Sequence, residues 1–254
     1  MPIAITRKVS PALAHCELTH LARTPIDVEL AAAQHEEYER TLARLGCWVV
    51  SLPAEADLPD SVFIEDTAVV VEEVAVITRP GARSRRPETA PVAAVLAKYR
   101  PVVSIEAPGT LDGGDVLRLG RRVLVGLSER SNREGIDQLS RLLSHHGYKV
   151  EAVPLGGCLH LKSAATQVTP DTVLVNPAWV DPATFSGFTR IDVYAGEPYA
   201  ANALMVGDRV VYPDAFPHTA ARLDRAAVPI VAVDVSELAK AEGAVTCCSL
   251  ILTG

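Results

Sequence analysis

Along the chain, short runs in which apolar residues alternate with polar ones come in pairs, each pair joined by a polar turn. SVFIEDTAVVVEEVAVITRP, TLDGGDVLRLGRRVLVGLS, LHLKSAATQVTPDTVLVNP and ANALMVGDRVVYPDA all follow this plan. A period of two predicts strands, and turns at Glu72-Glu73, Gly120-Arg121, Pro170-Asp171 and Gly207-Asp208 make each pair a β-hairpin. Between the hairpins the period lengthens. VELAAAQHEEYERTLARLG, PVAAVLAKYR, NREGIDQLSRLLSHHG and HTAARLDRAA carry apolar residues at helical spacing. Each runs on into one more apolar strand: CWVVSLP, PVVSIEAP, YKVEAVPL and VPIVAVDV. The predicted order is strand, strand, helix, strand.

One polar residue stands in the first strand of each unit: Asp66, Asp112, His160 and Asn202, followed by Cys247 in the closing strand GAVTCCSLILTG. Successive positions are 46, 48, 42 and 45 residues apart. Spacing this regular is the signature of repeated supersecondary units. Five equivalent units are expected, the last completed by the N-terminal strand PIAITRKV, so that the ring closes on itself and the five positions share one centre.

Composition narrows the function classes. With 254 residues, 48% of them hydrophobic, the chain can bury a full core. A net charge of −7 and 5% aromatic residues leave neither a basic stripe for phosphates nor a stacking platform, which excludes nucleic acid as a partner. No segment approaches the roughly 18 apolar residues of a membrane span, and the N-terminus has no signal-like apolar run. Five cysteines (Cys16, Cys47, Cys158, Cys247 and Cys248) are an odd number without framework spacing, so reduced thiols and a cytoplasmic location are expected.

The repeat phase picks out a chemical set. A thiol, an imidazole and a carboxylate on related strands suit nucleophilic catalysis, although a buried cysteine or a lone histidine is more often structural. Strand alternation sends the adjacent Cys247 and Cys248 to opposite faces, so one pocket can hold only one of them. Glu65 and Asp66, with Asp60 and Phe63 close by in LPDSVFIED, are acids where an acyl-transfer site would want donors. They suit a cationic substrate instead, and a guanidinium offers carboxylates a planar fork. Arg85 and Arg86 lie in a Gly/Pro-bounded loop from which an arginine can hold a substrate carboxylate, and SPALAHCELTH reads as a mobile cover. APGTLDGGD lacks the Lys-Ser/Thr of a phosphate loop, and Cys158 and His160 lack the paired spacing of a structural zinc site; neither a nucleotide nor a metal is expected.

LPDSVFIEDTAVV, ITRPGARSRR, TLDGGDVL, VGLSER, LHLKS and TCCSL, in this order, resemble the motifs of the dimethylarginine dimethylaminohydrolases, relatives of arginine deiminase among the guanidino-modifying enzymes. The resemblance covers nearly the whole chain. It implies one catalytic domain over residues 1–254, an α/β fold of five ββαβ units arranged as a pseudo-symmetric propeller, and a hydrolase that needs no cofactor. By the same resemblance Cys247 is the nucleophile, His160 the general acid/base and Asp112 its orienting carboxylate. Glu65 and Asp66 form the guanidinium clamp with Asp60 and Phe63 nearby. Arg85 and Arg130 hold the α-carboxylate end, Leu18 belongs to the cover, and Ala241 contacts the amino-acid head through its backbone. The implied partner is a methylated arginine, and the chain is a monomer or homodimer. Arginine deimination, amidino transfer and a non-catalytic guanidino- or zinc-binding module stay open as alternatives. One electrostatic expectation follows from the acids: they keep Cys247 a thiol until a cationic substrate arrives.

Overall fold

The structure, a computed structural model, describes residues 1–253. In chain order, β1 (Ile3–Arg7), α1 (Val28–Arg44) and β2 (Trp48–Leu52) begin one blade. Next come β3 (Ala68–Val70), β4 (Ala75–Ile77), α2 (Thr89–Leu96) and β5 (Val102–Ser104), then β6 (Val116–Leu119), β7 (Arg122–Leu127), α3 (Arg133–Ser144) and β8 (Lys149–Pro154). The short α4 (Leu161–Ala164) leads into β9 (Ala165–Thr169), β10 (Thr172–Val175) and β11 (Thr189–Asp192). β12 (Leu204–Val206), β13 (Arg209–Pro213), α5 (Pro217–Arg225), β14 (Ile230–Val233), α6 (Ser236–Ala239) and β15 (Leu250–Leu252) complete the order.

These strands form five three-stranded sheets of one topology. In each, the first strand pairs antiparallel with the second and the second pairs parallel with the third. In the last, β15 plays the first strand and β1 the second, with Ile3 opposite Leu252 and Trp48. The N-terminal strand therefore completes the fifth blade, as the repeat spacing requires. A parallel pair needs a crossover, and a helix fills it in four blades. In the third, only the 3-10 turn Pro182–Phe185 does, followed by β11, whose TRID lacks the apolar pattern that marks its counterparts and was not predicted.

The sheets are sealed by helices. Ile136, Leu139 and Leu143 recur at helical spacing along α3 and pack on Val123 and Val125 of β7, each fully buried leucine stabilising by about 1.5–3 kcal/mol. Asn132 caps this helix by accepting from Gly135 N, and the same oxygen accepts from Thr110 N. The first strands face the axis, where β15 meets β3, β6 meets β9 and β9 meets β12. Between them lies a cavity of about 620 Å³.

The structure corrects one expectation throughout. Asp66, Asp112, His160, Asn202 and Cys247 do not lie in the first strands but in turns just before them: 3-10 turns at Ile64–Thr67 and Gly113–Asp115, the N-cap of α4, and irregular turns ahead of β12 and β15. The phase survives because every unit carries the same turn. Its conformation differs because a turn, unlike a strand, can aim consecutive side chains inward.

Candidate active site

FIED illustrates that freedom. In the turn Ile64–Thr67 both Glu65 and Asp66 are buried, which a strand would forbid on one face. Asp66 Oδ1 accepts from Gly114 N at 2.9 Å, and its Oδ2 accepts from Arg85 Nη1. Burial opposes its charge, but His160 and Arg85 outweigh burial and hold the carboxyl at about 2.

The DGGD segment seats the imidazole. His160 Nε2 is 3.3 Å from Asp112 Oδ2, and Nδ1 lies 3.9 Å from Asp66 Oδ1. Asp112 itself accepts from Gly81 N and donates its own N–H to Ser131 Oγ. A Cβ on Gly114 would stand 2.6 Å from His160 Nδ1, and one on Gly113 would strike the Glu65 carbonyl. The two glycines thus serve close packing, not a phosphate. Burial alone would lower the His160 pKa; Asp66, the Asp112 hydrogen bond and Asp115 reverse this and raise it to about 9.

Cys247 sits in a turn after Thr246, its N–H on Ala244 O and its carbonyl accepting from Glu65 N at 3.1 Å. Asn202, the fourth repeat position, steadies this turn: Thr246 N donates to Asn202 Oδ1, and Asn202 Nδ2 donates to Thr246 Oγ1 and Lys162 O. Burial lifts the Cys247 thiol to about 12, with Glu65 and Asp66 adding to the shift. Cys248 is wholly enclosed in the apolar core beneath. Turn geometry, not strand alternation, separates the pair.

Cys247, His160, Asp66, Asp60, Phe63, Arg85, Arg130 and Ala241 line one cavity of about 20 Å³. Three of the predicted residues stand off it. Asp112 lies behind the imidazole, Leu18 is half-buried against the neighbouring core, and Glu65 borders the larger axial cavity. Glu65 pairs with Lys162 and accepts from Thr246 Oγ1, so the three close the axis between the two cavities. The two arginines differ. Arg85 is buried and donates to Asp66, Glu88 and the Asp60 and Phe63 carbonyls, within a 3-10 turn rather than an open loop. Arg130 has no carboxylate partner among the described residues and donates to Thr19 Oγ1.

The cover is tied down from both sides. Asp60 accepts from Glu17 N, while Glu242 accepts from Thr19, His20 and Leu21 N. A cavity of this size fits about one water. Sequence reasoning gave no role to Glu17, Glu88, Leu159, Lys162 or Glu242. Lys162 stands inside LHLKS and was within reach; Glu242 carries no local signal. Asp66, Asp112 and His160 offer ligand atoms within 4.8 Å of one another, the one such trio among the described residues.

Comparison with known proteins agrees with this geometry. Residues 53–195 match the family model for arginine deiminase. The chain is 40% identical to an N(G),N(G)-dimethylarginine dimethylaminohydrolase of Streptomyces coelicolor over 98% of its length and 96% of that protein's. It is 36% identical to the enzyme of that name from Pseudomonas aeruginosa over 91% of each. A solved structure of the Pseudomonas aeruginosa protein, a cysteine-to-serine mutant complexed with citrulline, superposes with a TM-score of 0.94 at 34% identity, covering 98% of both chains. The chain belongs to the dimethylarginine dimethylaminohydrolase family. The dimethylarginine dimethylaminohydrolases are hydrolases, and their five-fold pseudo-symmetric propeller is the fold described above.

Proposed function

We propose that the protein hydrolyses Nω,Nω-dimethyl-L-arginine and Nω-monomethyl-L-arginine to L-citrulline, releasing dimethylamine or methylamine. One observation carries the reading: a thiol, an imidazole and a buried carboxylate line a single covered cavity, Cys247 with His160 and Asp66. Asp66 and Glu65 attract the guanidinium. Arg130, with no acid of its own, takes the substrate carboxylate beside Arg85, and Asp60 and the Ala241 backbone meet the amino-acid head. Leu18 closes over the substrate with the cover.

The cation makes the thiolate worth forming, and Cys247 loses its proton to solvent as substrate binds. Sulfur attacks the guanidinium carbon. His160, protonated at Nδ1 and held through Nε2 by Asp112, gives its proton to the departing amine as the C–N bond breaks. An S-alkylthiouronium remains. Neutral His160 then takes one proton from water, whose oxygen attacks the same carbon; the C–S bond breaks, sulfur leaves with its electron pair, and the added hydroxyl's remaining proton passes to the sulfur, giving citrulline and the resting thiol. Side chains and water suffice for every step.

In the alternative reading unmethylated arginine loses ammonia, as the name of the matching family model, arginine deiminase, describes; relatives at 40% and 36% identity do not favour it. Citrulline release from arginine, monomethylarginine and asymmetric dimethylarginine separates the two. Turnover confined to the methylated substrates supports the first, and a preference for arginine overturns it. Cys247→Ser is expected to abolish turnover of each.

A further inference from the structure

Asp115, the last residue of DGGD, has no role in the chemistry above. It is fully buried, and its carboxylate is the end point of hydrogen-bond chains from three site segments. Oδ1 accepts from Leu161 N at 3.1 Å, the peptide that follows His160. Oδ2 accepts from Ser128 Oγ and Ser131 Oγ, both at 2.6 Å. Each hydroxyl, its proton spent on Asp115, accepts in turn. Ser131 Oγ takes Asp112 N, and Ser128 Oγ takes Arg130 N. A Cβ on Gly126 would lie 2.7 Å from Asp115 Oδ1, so the strand behind leaves room for this carboxylate.

We propose that Asp115 is a positioning residue that sets His160, Asp112 and Arg130 relative to one another across two blades. The inference rests on the roles given to those three residues under the proposed function. Only an acceptor-only group meets all three donors. An amide at 115 must either turn its NH₂ toward the two hydroxyls, leaving their protons without acceptors, or turn it toward Leu161 N, where two donors collide. The carboxylate also adds a negative charge to those of Asp66 and Asp112 around the imidazole, with Arg85 beyond Asp66, Cys247 in the same cavity and Cys158 beside the His160 carbonyl.

Two variants separate geometry from charge. Asp115→Asn removes both, and Ser131→Ala leaves the charge while freeing Asp112 N. In Asp115→Asn, kcat for dimethylarginine is expected to fall by roughly tenfold or more, and the His160 titration, followed by NMR of labelled histidine, to move down by roughly one pH unit. Ser131→Ala is expected to lower kcat while moving the His160 titration less than Asp115→Asn does. A wild-type enzyme that turns over methylarginine, with kcat and His160 titration both retained in Asp115→Asn, overturns the proposal. So does an unchanged kcat in Ser131→Ala, the decisive result should Asp115→Asn fail to fold. If wild type releases no citrulline, the proposed function fails; the His160 titration, which needs no turnover, still judges whether Asp115 acts on the imidazole.

Discussion

Cys247 and His160 line one cavity, and Asp66 raises the proton affinity of both; burial and Glu65 add to it at the thiol, Asp112 and Asp115 at the imidazole. For Cys247 the consequence is a resting thiol. Its alkylation by iodoacetamide in the free enzyme is expected to accelerate steadily beyond pH 9, because burial, Glu65 and Asp66 hold the thiol at about 12. A rate already level at pH 6 contradicts this. For His160 the consequence is a pH-dependent stability. The fold holds the imidazole at about 9, against about 6.5 in an unfolded chain, so the native state binds the proton more tightly. Its stabilisation is complete below about pH 6.5 and disappears as pH rises through 9. Between pH 7 and 9 urea melts are expected to lose on the order of 2–3 kcal/mol. In His160→Gln that slope should flatten.

Short turns, not the strands that follow them, are the elements that make the site. The turn Ile64–Thr67 aims two polar side chains inward, Glu65 and Asp66 together. The predicted strand positions were off by one element because alternation of apolar residues continues into these turns, and a period of two cannot separate a strand from a 3-10 turn that leads into it. The cover is an element of a different kind: Leu13 and Cys16 root it in the core, and carboxylates fasten its far end. Glu242, in a left-handed backbone conformation (φ 59°), accepts from three successive amides. Glu242→Ala is expected to speed hydrogen exchange at Thr19, His20 and Leu21 while leaving the amides of β7 unchanged. Equal protection in both proteins would show that the cover is held by something else.

At the scale of the whole molecule, the ring has one axis, and one ion pair closes it. Lys162 and Glu65 meet between the catalytic cavity and the larger one, with Glu65 buried. Lys162→Met leaves that carboxylate without its partner and is expected to cost about 3–5 kcal/mol, read as a lower urea midpoint with unchanged slope. Glu65→Gln combined with Lys162→Met removes the stranded charge and should recover part of the loss. A neutral single variant would mean that Thr246 alone satisfies Glu65.

What the sequence determined by itself was periodicity. Apolar alternation, helical spacing and the recurrence of one polar position every 42–48 residues are local or additive along the chain, so five units, their closure by β1 and β15, and the choice of Asp66, Asp112, His160 and Cys247 were legible. Family motifs extended this to Arg130 and Ala241. Tertiary structure decided the rest, because it depends on distances between segments that no sequence spacing encodes. Only in the fold does Arg85 meet Asp66, Asp115 gather three donors, and Glu242 reach across 221 residues to Leu21. The charges that set each proton affinity come from different blades, and their sum exists only where the blades meet.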